Sequence, residues 1–155
     1  MFRSTRRAAP ALIFLAASLG ACQKAEVAPR VPEPTICFPP TPATAAAQLV
    51  GRWELTESVN GMSGGIYPAD PARKQEIVFT AAGQASFLLN GVVTRTGPFS
   101  VVQATSYLTR KPETFVNFDP ASATRPLPFI ERLSASELKL AIDANDGGGS
   151  RYVRR

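Results

Sequence analysis

From Val50 onward, apolar and polar residues alternate in short runs separated by turn-forming residues. Over residues 51–57, Trp53 and Leu55 fall on one face and Arg52 and Glu54 on the other, the period of a half-buried strand. Ile77 and Phe79 share a face over 76–80, and Phe87 and Leu89 over 85–89. Asn90-Gly91 then stands between apolar runs, a strong hairpin signal because both residues tolerate positive φ. Residues 92–95 and 99–102 read as one further strand bent at Gly97-Pro98. Residues 106–109 and 115–118 read as two more, parted by Arg110-Lys111-Pro112, and 129–133 as another. Leu138, Leu140 and Ile142 alternate with Glu137, Lys139 and Ala141, the cleanest half-buried pattern in the chain, and 151–154 closes the set. About eight strands joined by tight turns predict an all-β fold: an up-and-down antiparallel β-barrel, with a β-sandwich as the alternative. The longest turn, 59–74, is rich in glycine and reads as a lid beside the first strand.

The first 48 residues follow different rules. Residues 1–7 carry Arg3, Arg6 and Arg7 and no acid, and 8–19 are almost wholly apolar. Twelve helical residues rise about 18 Å, too short for a hydrocarbon core of about 30 Å, so residues 1–21 read as a cleavable secretory signal. Residues 22–48 hold Pro29, Pro32, Pro34, Pro39, Pro40 and Pro42, six of the chain's 14 prolines. Proline lacks an amide hydrogen and fixes φ, so this stretch reads as an extended tether, with room for a short helical turn from Ala43 to Leu49 at its end. The folded domain is then expected over 49–155.

Two resemblances attach to particular residues. Leu19-Gly20-Ala21-Cys22 resembles the bacterial lipobox. That resemblance implies that Cys22 takes a diacylglycerol and becomes an acylated N-terminus, as in palmitate-bearing lipoproteins. Acyl anchoring is strong because each buried methylene contributes about 0.8 kcal/mol. Gln23 in place of the aspartate that retains such proteins at the inner membrane implies export to the cell envelope and the outer membrane. Cys37 is left without an obvious partner in the chain. Further on, Leu49-Val50-Gly51-Arg52-Trp53-Glu54-Leu55 resembles the opening of bacterial lipocalin-like lipoproteins. Leu133-Ser134, Leu138-Lys139-Leu140 and Tyr152-Val153-Arg154 resemble their close. In that family a Gly-x-Trp tryptophan plugs one end of the barrel and a late arginine packs across it. The likeness implies those anchor roles for Trp53 and Arg154 and a pocket mouth at the opposite end.

Charge and chemistry narrow the function. The formal net charge is +5, from 17 basic and 12 acidic residues. Loss of the three signal arginines leaves 14 basic against 12 acidic, so no nucleic-acid footprint is expected. The chain has no histidine, the commonest general base and metal ligand. Lys74, Lys111 and Lys139 fall at turns or outward positions. Glu54 with Glu57 and Asp143 with Asp146 look like surface rather than acid/base pairs. Gly147-Gly148-Gly149 lacks the lysine and helix of a phosphate loop, and the acids of 143–147 do not have calcium-loop spacing. No enzyme activity, catalytic residue, metal or cofactor is therefore expected. Two functions remain open. One is a membrane-anchored module that binds a small apolar ligand through Leu55, Phe79, Phe87, Phe99 and Leu140. The other is a non-catalytic accessory protein that docks another envelope protein. The large inward residues Trp53, Phe79, Phe87, Phe99, Tyr107 and Phe129 favour a filled interior, and a filled interior favours docking.

Overall fold

A computed structural model describes residues 41–120 and 127–155. The signal, Cys22, Cys37 and most of the expected tether lie outside the described residues. One helix, α1 (Pro42–Leu49), precedes ten strands: β1 (Gly51–Val59), β2 (Ile66–Pro68), β3 (Gln75–Phe79), β4 (Gln84–Leu89), β5 (Val92–Pro98), β6 (Ser100–Thr105), β7 (Pro112–Asn117), β8 (Pro128–Leu133), β9 (Glu137–Ile142) and β10 (Gly149–Arg154). They form one antiparallel sheet in the order β5-β4-β3-β1-β10-β9-β8-β7-β6, with β2 added beside β1.

The all-β expectation holds, but the sheet is open rather than a closed barrel, and it is one sheet rather than the two of a sandwich. Its two edge strands, β5 and β6, are consecutive in the chain and separated by Phe99 alone. They continue one another around a bend instead of lying side by side, and Pro98 has no amide hydrogen to offer a neighbour. The sheet nevertheless curls over its own apolar face. Phe118, just past β7, meets Phe79 and Phe87 of β3 and β4 at ring-centroid distances of 5.9 and 5.2 Å. The Arg95 guanidinium of β5 donates to the Phe118 carbonyl at 3.2 Å.

Cross-strand register explains which face is buried. Trp53 stands opposite Ile77 on one side and Arg154 on the other, and Ile77 stands opposite Phe87. Directly opposed residues share a face, so alternation carries through the sheet, and Trp53, Ile77, Phe79, Ala85, Ile130, Leu133, Leu138 and Leu140 form one buried cluster. Three irregularities interrupt the ladders: Thr56, Thr94 and Glu131 are extra residues in β1, β5 and β8. Such bulges bend and twist a strand.

Three expectations need correction. Residues 106–109 are a turn, not a strand: the Ser106 hydroxyl accepts from the amides of Leu108 and Thr109, a local pattern that competes with a ladder. Tyr107 is consequently exposed, with Arg110 4.8 Å over its ring, rather than inward. The span 22–48 is not tether to its end. Thr41 caps α1 through the Thr44 amide, Pro42 occupies the first turn where its missing amide costs nothing, and Ala45 and Leu49 are fully buried. Finally, the expected lid over 59–74 contains β2, which pairs with the end of β1, so much of it is hairpin.

Candidate functional site

Trp53 marks one end of the curled sheet, and it is closed. Its indole Nε1 donates to the Leu49 carbonyl at 2.7 Å, which ties β1 to α1. The Arg154 guanidinium lies 4.2 Å over the ring, a cation–π contact. Arg154 also donates to the carbonyls of Ala135 and Val50, each at 2.7 Å, and of Gln48. Burial pulls its pKa below the ordinary value, but guanidinium starts so high that it keeps its charge. Gly51 makes this packing possible. Its φ is +138°, and a Cβ there would overlap the Arg154 guanidinium. The Gly-x-Trp element and the late arginine are thus one assembled unit. Nearby, Phe79 and Phe99 meet edge-on at 4.9 Å, and Phe79 is buried.

The other end is hollow. A cavity of about 530 Å³ lies between the far end of β1 (Ser58, Val59), the start of β10 (Gly149, Ser150, Tyr152), the end of β9 (Leu140, Ile142), Ile77, Phe87, Arg95, Phe118 and the 127–128 segment. That volume falls within the usual range of small-molecule sites, about 300–1,000 Å³. Its walls are mainly aliphatic and aromatic, with Arg95, Tyr152, Ser58 and Ser150 as the polar groups. Burial pushes the Tyr152 hydroxyl up, against the opposing effect of Ser150, so the phenol stays neutral and able to donate. Gly148 closes one wall tightly: a Cβ there would overlap the Val59 carbonyl, so the three-glycine turn is a packed element and not a loose hairpin.

The five residues expected to line a pocket divide. Phe87 and Leu140 line the cavity. Leu55 stands opposite Tyr152 in the ladder but is not in the lining. Phe79 and Phe99 pack towards the closed end and fill space instead. Arg95 is the lining residue that alternation alone misses. The two-residue turn at Asn90-Gly91 pairs Leu89 with Val92 and Leu88 with Val93, which would set Thr94 opposite Phe87. The extra residue at Thr94 shifts the register, so Arg95 stands opposite Phe87 and turns to the same inner face. No turn signal marks that bulge.

The acidic pairs are separated by their partners. Glu54 lies on the outer face, bound by Arg155 and Lys74, which hold its carboxyl at about 2, well below the ordinary 4.5. Glu57 pairs instead with Arg151. Asp143 accepts from the Ser106 hydroxyl and the amides of Tyr107 and Leu108 at 2.7–3.1 Å. Desolvation pushes its carboxyl up, but those donors outweigh it and hold it below the usual range. It pins the 106–111 turn to the end of β9. Among the described residues, no three His, Cys, Asp or Glu side chains are placed to hold a metal. No protein-family model, curated protein or solved structure matches the chain.

Proposed function

We propose that this chain is an exported, lipid-anchored envelope protein whose open, curled sheet is a lipocalin-like variant of a barrel and whose cavity holds a small apolar ligand without chemistry. The cavity carries this reading. A hollow of about 530 Å³ walled by Val59, Ile77, Phe87, Phe118, Leu140 and Ile142 has no structural need to be empty, whereas the opposite end is packed to closure. Burying an alkyl chain there gains about 25 cal/mol per Å² before the costs of association. The anchor rests on Leu19-Gly20-Ala21-Cys22. A chain without histidine, whose Glu54, Glu57 and Asp143 are committed to ion pairs and turn amides, suits binding better than catalysis. The second reading, docking to an envelope protein, draws on Met62, Ile66 and Val92, each about two-thirds exposed or more.

The test is extraction of the protein purified from its native host, followed by mass spectrometry of bound lipids. A stoichiometric amphiphile is the expected result, and Ile142→Trp, which fills the cavity, removes it. An empty extract, together with unchanged partner capture by Ile142→Trp, overturns the ligand reading in favour of docking.

A further inference from the structure

We infer that the cavity selects an anionic single-chain amphiphile, a long-chain carboxylate, and that Arg95 receives its head group. This rests on the cavity-binding reading and adds the charge of the ligand to it. The observation is an arginine at an inner-face position of an apolar hollow. Arg95 stands opposite Phe87, its guanidinium 5.4 Å from that ring, and lines the cavity. The bulge at Thr94 puts it there, and bulges commonly re-aim a side chain beside a functional site.

Its charge is not answered by a carboxylate among the described residues. Arg52, Lys74, Arg132, Lys139, Arg151 and Arg155 all find carboxylates on the outer face. No ion pair among the described residues includes Arg95. Its hydrogen-bond partner is the neutral Phe118 carbonyl, and the Phe87 ring supports one face. A guanidinium carries five N–H donors in a planar fork that fits a carboxylate with two parallel bonds. Arg95 remains well exposed, so it keeps water until a ligand arrives. A carboxylate placed there would point its chain along Phe87, Ile77 and Leu140. Tyr152 and Ser150 line the same hollow. A cationic head would meet an uncompensated positive charge and be rejected.

Isothermal titration of the full chain with dodecanoate, dodecanol and dodecyltrimethylammonium separates the possibilities. The expected result is dodecanoate bound about tenfold or more tightly than dodecanol, with the cation weakest. Arg95→Met abolishes the preference, bringing dodecanoate affinity down to that of dodecanol. Arg95 is a surface-accessible residue outside the buried cluster, so the variant folds, and its unaltered thermal transition verifies this. Equal binding of dodecanoate and dodecanol by the wild type, or a preference that survives Arg95→Met, overturns the head-group assignment and leaves the cavity reading standing. Failure of the wild type to bind any of the three overturns both.

Discussion

The two ends of the curled sheet are built from the same strands with the same alternation, yet one is solid and the other hollow. At the closed end, a large indole, an arginine with three carbonyl partners and a helix converge on a glycine that leaves them room. At the open end β1 and β10 contribute small residues, Ser58, Gly149 and Ser150, with Gly148 beside them, and the larger side chains stand around a hollow as its walls. Thr56, Thr94 and Glu131, the three extra residues, bend the strands that run from one region to the other. Alternation decides which face is inside. Side-chain volume and local bending decide whether the inside is full.

The sharpest way to break this comparison is at the closed end. Trp53→Ala is expected to cost about 3–5 kcal/mol, because a fully buried indole leaves a cavity and Arg154 loses its ring. Urea unfolding measures it, and a loss under about 1 kcal/mol would mean the closed end is not a packed unit.

A matched pair of enlargements gives a smaller and more discriminating effect. Leu138→Phe adds volume to a fully buried position and is expected to cost about 1–3 kcal/mol. Ile142→Phe adds volume into the hollow and is expected to cost less than about 1 kcal/mol, since the ring has space. Equal thermal shifts for the two variants would erase the distinction between the ends.

Acid tests the outer surface that both ends share, with the smallest effect. Arg155 and then Lys74 hold the Glu54 carboxyl at about 2 rather than 4.5. A folded-state pKa below the unfolded one stabilises the fold above pH 4.5 and ceases to do so as pH falls from 4.5 towards 2. Glu54→Gln should therefore be the less stable protein at neutral pH, with the gap closing across that window. A gap independent of pH would show that the Glu54 pairs contribute nothing to folding.

The strands were legible where a period-2 pattern met an unambiguous turn. Glu137–Ile142 emerges as written, and Asn90 and Gly91 take φ of 52° and 79°, as a tight hairpin demands. Sequence order also showed the β5–β6 bend, but not that the two halves become opposite edges of the sheet. Ser106–Thr109 misled because its apolar residues sit in a turn held by Asp143, a partner 35–37 positions away. Ile66–Pro68 was hidden among glycines and prolines, and its strand character comes from lying against β1. The short helical turn read from Ala43 to Leu49 is α1, and what the prolines before it obscured is its start at Pro42 behind the Thr41 cap. In the cavity, Phe87 and Leu140 followed from alternation. Arg95 did not, because one unpaired residue reversed the parity of its strand.

The position of β10 governs when the molecule can assemble. Strands β3, β4 and β5 pair with near neighbours in the chain, so their hairpins close over short loops. Strand β1 waits for a partner about a hundred residues downstream, since Trp53 pairs with Arg154. Closing that ladder is the slow, entropically expensive event of folding. Until residues 149–155 have been made, β1 has an unsatisfied edge and Trp53 lacks its arginine. A nascent chain in that state stays unfinished and threadable, which suits a protein proposed to cross a membrane before it folds.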